Sequence, residues 1–133
     1  MTQRPELLES REVFFAVILV RDSSLSELPP LLAKVVDCAL QCGGDILSFD
    51  VAVALVVFGM SDREQAPEVA YRIFVGTLMS TMGADVSVVH GRRSALVGAV
   101  GAPSRKSFTT LFAGYRELLR ELVNTPLGFS KEI

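Results

Sequence analysis

The sequence predicts a single α+β domain built on a mainly antiparallel sheet. Three observations indicate this: apolar runs of strand length, two stretches of helical periodicity that each end at glycine, and the order in which they alternate. The chain has 133 residues, of which 50% are hydrophobic and 21% charged, so it can bury a sizeable core without metals or disulfides. Polar residues dominate the start, and we predict a loose arm over residues 1–12 and the domain over residues 13–133.

The first strand is predicted at Val13–Val20, a run of β-branched, aromatic and aliphatic residues short enough to be buried on both faces. A helix follows it. Pro29 and Pro30 suit the first helical turn, apolar residues then recur at helical spacing, and Gly43 ends the pattern.

The stretch from Gly43 to Gly59 predicts two strands joined by a turn, because the polar pair Ser48 and Asp50 interrupts an apolar run. A second helix is predicted from about Ala66, since its buried side repeats at helical spacing and Gly83 closes it. The pair of strands from Gly43 to Gly59 and the helix that ends at Gly83 form the centre of the predicted fold.

Two further strands are predicted at residues 84–90 and 94–100, as a hairpin turning at Gly91 to Arg93. A third helix through Leu118 to Leu122 and a short strand beginning at Leu127 complete the order. The first six elements give the βαββαβ pattern of a ferredoxin-like sheet with helices packed on one face. Because the strands look apolar on both faces, the extra β and α elements or another chain should cover the second face.

Charge and hydropathy exclude several classes of protein. The net charge of −2 and pI near 5.4 argue against nucleic-acid binding. The apolar run at Val13 to Val20 is too short to span a membrane, so we expect no membrane insertion and a cytoplasmic location. A basic cluster fits a solvated hairpin face, with anion binding as the alternative; it comprises Arg92, Arg93, Arg105 and Lys106.

The two cysteines, Cys38 and Cys42, are four residues apart and should share one helix face as small core residues. A zinc site would need further ligands, and His90 is the only histidine. We therefore expect no metal at the cysteines, and we interpret His90 as a turn or hydrogen-bonded core residue.

Several short motifs follow one another along the chain. They are Gly43-Gly44, Val57-Phe58-Gly59, His90-Gly91, Gly98-Ala99-Val100-Gly101, Arg105, Phe108-Thr109 and the helical run Tyr115 to Arg120. In order and spacing they resemble the class III nucleotidyl cyclase catalytic domain, the family of adenylate and guanylate cyclases. The resemblance covers about Phe14 to Ser130 and implies a nucleotide-cyclase-like antiparallel sheet in a degenerate, C-terminally shortened member.

In that family two aspartates hold two divalent metals, which neutralise the triphosphate and activate the ribose 3′ hydroxyl. The resemblance places the first aspartate at Asp22, a position that also fits a turn residue. It places the second at Ala52, with Val51 in place of the preceding glycine. Asp50 could face the same way as Ala52 by strand alternation, so a shifted metal site at Asp22 and Asp50 is an alternative.

The other family positions have also changed. The base-selecting lysine corresponds to Ser48 and its partner to Ala113, and neither side chain can read a purine as the family does. The ribose-orienting asparagine corresponds to Arg116. Only the arginine that stabilises the transition state is kept, as Arg120, although an exposed helix charge is the simpler interpretation.

The resemblance therefore implies a pseudo-enzyme rather than a cyclase. Our leading hypothesis is a non-catalytic signalling domain without a cofactor, which acts as a regulatory homodimer or as a heterodimer with another cyclase-like domain. One alternative is a divergent adenylate or guanylate cyclase that uses Mg²⁺ or Mn²⁺ with Asp22, Asp50 and Arg120. Another is a sensor that binds a nucleotide or other anion without turnover, in a cleft lined by Asp22, Arg116 and Arg120.

Overall fold

The computed structural model describes residues 8–21, 26–50, 52–60, 66–100, 107–112 and 114–133. Strands and helices alternate in the predicted order. They are β1 (Leu8–Val20), α1 (Leu28–Gln41), β2 (Asp45–Asp50), β3 (Val53–Phe58), α2 (Pro67–Met82), a 3₁₀ turn (Gly83–Asp85), β4 (Val86–Val100), β5 (Ser107–Phe112), α3 (Tyr115–Val123) and β6 (Ser130–Glu132).

The strands form one sheet in the order β2-β3-β1-β4-β5, and β6 also pairs with β4. All pairs are antiparallel except β4 with β6. The central pair is the longest, since β1 pairs with β4 from Leu8 opposite Gly98 to Val20 opposite Val86. The predicted α+β class and its mainly antiparallel sheet are confirmed.

Alternate residues of β1 face opposite sides of the sheet, as the pleat requires. Phe14, Ala16 and Ile18 lie in a core with α1 and α2, whereas Val13, Phe15 and Val17 lie in a second core with α3. Helices α1 and α2 therefore share one face, as predicted. The extra helix α3 packs on the other face, through Leu118 and Leu122.

Two predicted boundaries are wrong. The strand β1 begins at Leu8, so residues 8–12 belong to the sheet and not to a loose arm. Their pairing with residues 94–98 of β4 explains this, because the ladder is made by backbone groups and tolerates polar side chains. The last strand is β6, which begins at Ser130 and not at Leu127.

The predicted hairpin around Gly91 is also wrong, because β4 runs without a turn from Val86 to Val100. Strand β4 pairs antiparallel with β5, and residues 101–106 between them lie outside the described residues. Gly91 is needed because there is no room for a side chain at this position, and not because the chain turns there. A Cβ at this position would collide with the carbonyl oxygen of Ile133, whose amide donates to the His90 carbonyl.

Candidate functional site

The end of β1 contacts the turn between β2 and β3. The amide of Val20 donates to the carbonyl oxygen of Ala52 at 2.8 Å. Asp50 pairs with Val53 across the ladder, and Ala52 belongs to the turn between them. The two chain segments assigned to metal binding are thus neighbours in the fold, and the one at the turn presents a half-buried alanine.

The aspartates assigned to this site are placed only in part. Asp22 follows Val20 by two residues and lies outside the described residues. Asp50 is the last residue of β2, but its side chain also lies outside them. In the part of the chain that is described, no three His, Cys, Asp or Glu side chains form a group able to hold a metal ion.

Next to this site, an ion-pair cluster anchors the end of β1, and sequence reasoning missed it. Arg21 Nε donates to Asp85 Oδ1 at 2.6 Å, and its Nη1 lies 3.4 Å from Glu27 Oε2. The Arg21 amide also donates to the Asp85 carbonyl at 2.7 Å. The hydrogen bond to Asp85 is the main reason why the pKa of Arg21 is raised. Because Asp85 is distant in sequence, only the folded topology reveals the pair.

The remaining candidate residues lie on the surface or outside the described residues. Ser48 is exposed on β2, and Arg116 and Arg120 are exposed on α3. The two arginines are four residues apart and share a helix face, but neither forms an ion pair with a described residue. Helix α3, which carries both arginines, packs on β1 and β4. Ala113 lies outside the described residues.

His90 is a core residue and not a turn residue. Its side chain is buried, and its Nδ1 shares a hydrogen bond with the Tyr71 hydroxyl at 2.5 Å. The ring of Tyr71 stacks on Phe14, with centroids 5.3 Å apart. Burial lowers the pKa of His90 and raises that of Tyr71 to about 12, so both groups are neutral at pH 7. This pair confirms the interpretation of His90 as a hydrogen-bonded core residue.

The cysteines also pack as predicted. Cys38 and Cys42 are free, half-buried and in contact with the core of the α1 and α2 face. Burial raises the pKa of Cys38 to about 11, with a further contribution from Cys42. The thiol of Cys38 is therefore protonated, and a weak nucleophile, at neutral pH.

Part of the sheet face that carries α3 is only half covered. Leu19, Leu47 and Val53 lie on this face, beside the turn at Ala52, and each keeps some exposed surface. Helix α3 packs over β1 and β4. The half-covered apolar residues therefore form a small surface, here called the β2–β3 patch, next to the candidate site.

No protein-family model and no curated protein matches the chain. Solved structures do match it. The dimeric guanylyl cyclase domain of a RhoGC fusion protein from Blastocladiella emersonii superposes with a TM-score of 0.71 at 10% identity, over 92% of this chain and 79% of that one. The chain has the fold of a class III nucleotidyl cyclase catalytic domain.

Other solved cyclases give the same result. The guanylate cyclase domain of RhGC from Catenaria anguillulae, solved with GTP, has a TM-score of 0.68 at 11% identity, over 90% of this chain and 76% of that one. The adenylyl cyclase CyaB from P. aeruginosa has a TM-score of 0.58 at 16% identity, over 92% and 78%. The B. emersonii domain has also been solved as a monomer. The cyclase fold predicted from the motifs is confirmed at identities that carry no information about activity.

Among the described residues, no helix has both the length and the hydropathy needed to cross a membrane.

Proposed function

We propose that this chain is a non-catalytic cyclase-like domain that works in signalling by pairing with another cyclase-like domain, either a second copy of itself or a related chain. The observation that carries this proposal is the hydrogen bond between Val20 and Ala52. It fixes an alanine at the turn to which the resemblance assigns the second metal-binding aspartate.

A methyl group at the turn does not fit the metals of the family. Mg²⁺ and Mn²⁺ take oxygen ligands, mainly carboxylates, and Ala52 offers only its backbone carbonyl, which already accepts the Val20 amide. Asp22 alone would leave the charge of a triphosphate and two metals poorly balanced. The exposed Ser48 at the base-selecting position supports the same proposal, since a hydroxyl cannot replace the cationic donor there.

Pairing is supported by the β2–β3 patch. Leu19, Leu47 and Val53 place partly exposed apolar surface on the sheet face beside the turn. Burial of such surface favours association. The B. emersonii guanylyl cyclase domain has been solved as a dimer and as a monomer, so domains of this fold can occur in either state.

Nucleotide turnover tests the first half of the proposal. We expect no cyclic nucleotide from ATP or GTP with Mn²⁺ at millimolar concentrations, for the chain alone and for an equimolar mixture with any partner recovered. Metal-dependent product that disappears in Asp22→Ala or Asp50→Asn would instead establish the divergent cyclase.

Light scattering tests the second half. We expect dimer mass at micromolar concentration, and a shift toward monomer when Leu47 is replaced by Glu. The matched control is Leu40→Glu, because Leu40 is exposed on α1, on the opposite side of the sheet. A natural chain that remains monomeric and recovers no cyclase-like chain from lysate would contradict pairing.

A further inference from the structure

A cavity of about 270 Å³ opens on the face of the sheet that carries α2, between α2, β4 and β6. We call it the α2 cavity. Its floor includes Phe14, which lies six residues before Val20 on β1 and so about 20 Å from the candidate site at the strand end. The α2 cavity is thus separate from the nucleotide cleft implied by the resemblance. Its volume lies just below the roughly 300–1,000 Å³ of pockets for drug-sized ligands, so it suits a smaller molecule.

The floor of the α2 cavity is aromatic and fixed. Tyr71 is almost fully buried and stacks on Phe14, and the bond to His90 occupies the Tyr71 hydroxyl. This arrangement leaves a rigid apolar base beneath the polar rim. A bound molecule would therefore be oriented by the rim.

The rim carries both signs of charge. Arg72 Nη2 lies 3.5 Å from a carboxylate oxygen of Glu68 and 3.5 Å from one of Glu132. Arg92 Nε lies 3.5 Å from Glu12. All of these side chains are more than half exposed, so the ion pairs are weak and can exchange with a ligand.

Several strong hydrogen-bonding groups on the rim have no partner among the described residues. Arg92 makes its ion pair with Glu12 through Nε, and its two terminal nitrogens form no hydrogen bond or ion pair with a described residue. Glu68 and Glu132 both use Oε2 for Arg72, which leaves each Oε1 as an acceptor. The rim therefore offers a guanidinium fork on β4 and two carboxylate oxygens on α2 and β6.

We propose that the α2 cavity binds a small zwitterion, namely a free α-amino acid. Its carboxylate would take the two terminal nitrogens of Arg92, the geometry in which guanidinium binds carboxylate best. Its ammonium would lie between Glu68 and Glu132. A simple anion would meet these two carboxylates and a simple cation would meet Arg72 and Arg92, whereas a zwitterion pairs with both sets. The open, exposed rim predicts millimolar affinity.

The test is an amide chemical-shift titration of the full chain with L-alanine, L-serine and L-leucine, up to about 50 mM. We expect saturable shifts at Arg72, Gly91 and Arg92. N-acetyl-L-alanine lacks the ammonium and L-alaninamide lacks the carboxylate, and each should bind at least about tenfold more weakly than alanine, one decade being about 1.4 kcal/mol.

Matched variants locate the site. Arg92→Gln and Glu132→Gln should each weaken binding at least about tenfold. Lys34→Gln, which removes an exposed charge from α1, away from the residues that line the α2 cavity, should leave binding unchanged. A dispersed amide spectrum identifies variants that remain folded.

Three results would overturn the proposal: no saturable shift with any of the three amino acids, binding that survives both rim substitutions, or N-acetyl-L-alanine binding as tightly as alanine. The last result would identify an anion site. None of these outcomes depends on dimerisation or on nucleotide turnover, so the α2 cavity can fail or succeed independently of the proposed function.

Discussion

The middle and the end of β1 use polar groups in different ways. At Phe14, in the middle, the strand packs beside Tyr71 and His90, whose shared hydrogen bond is buried in the core. At the end of the strand, Val20 and Arg21 are held by backbone hydrogen bonds and by a partly exposed ion pair with Asp85. Because the Tyr71–His90 hydrogen bond is buried, breaking it costs folding free energy, whereas solvent screens the Arg21–Asp85 ion pair. The buried hydrogen bond should therefore contribute more to folding than the ion pair at the strand end.

The largest effect should come from the aromatic core. Phe58 is fully buried and contacts Tyr71 and Phe74, with ring centroids 6.4 and 5.6 Å apart. We expect Phe58→Ala to lower the free energy of unfolding by about 3–5 kcal/mol, measured by urea denaturation. Phe129→Ala is the control, since Phe129 is 62% exposed and should change stability by less than about 1 kcal/mol. If Phe58→Ala and Phe129→Ala lowered the free energy of unfolding equally, Phe58 would not be packed as described.

The buried hydrogen bond gives the next effect. Tyr71→Phe keeps the ring stack on Phe14 but leaves His90 Nδ1 without its partner, which should cost about 1–3 kcal/mol of unfolding free energy. Urea denaturation at pH 7.5 measures this loss. Tyr115→Phe provides the control, because Tyr115 is only partly buried at the start of α3. If Tyr71→Phe leaves the free energy of unfolding unchanged, the hydrogen bond contributes nothing to folding.

The same pair predicts a dependence of stability on pH. Burial lowers the pKa of His90 below its ordinary value of 6.5, so the unfolded chain takes up the proton first. Stability from neutral His90 is complete above about pH 6.5 and falls as the pH drops below it, by at most about 1.4 kcal/mol per pH unit. Comparing the pH profiles of the natural chain and His90→Gln isolates this slope. Glu132 raises the pKa of His90 and Arg72 lowers it. Parallel pH profiles for the natural chain and His90→Gln would contradict the assignment of this pH dependence to His90.

The smallest effect should come from the anchor at the strand end. Asp85→Asn removes the charge opposite Arg21 while the Asp85 backbone still accepts the Arg21 amide. We expect little change in global stability and faster hydrogen exchange at the Val20 and Arg21 amides. The control is Asp37→Asn, at an exposed site on α1. A global loss as large as that of Tyr71→Phe would place this ion pair among the main stabilising contacts.

The pattern of this fold could be predicted from the sequence, but its long-range pairings could not. Apolar runs and glycine stops placed the helices and the β2 and β3 strands, because these signals are local. The turn assigned to Gly91 failed because a glycine between apolar runs resembles a turn, whereas here it makes room for Ile133.

The candidate site divides in the same way. The resemblance assigns the two metal-binding positions to Asp22 and Ala52, and in the structure the Ala52 carbonyl accepts the amide of Val20, two residues before Asp22. The bonds from Arg21 to Asp85 and from Tyr71 to His90 join residues far apart in sequence, and neither partner has a local pattern. Such pairs depend on the register of the sheet and on the position in which α2 packs against it. Neither is encoded in a local stretch of sequence.

The central claim is that the turn at Ala52 does not support metal chemistry. The most direct test is Mn²⁺ binding in the presence of ATP or GTP, with the free ion measured by electron paramagnetic resonance. We expect the natural chain to deplete little free Mn²⁺ beyond what the nucleotide alone binds, and Ala52→Asp to bind it at least about tenfold more tightly because it adds a carboxylate at the turn. The control is Thr77→Asp, which adds a carboxylate at an exposed position on α2. Two Mn²⁺ ions bound tightly by the natural chain, with affinity lost in Asp22→Ala, would contradict the claim that this turn no longer supports metal chemistry.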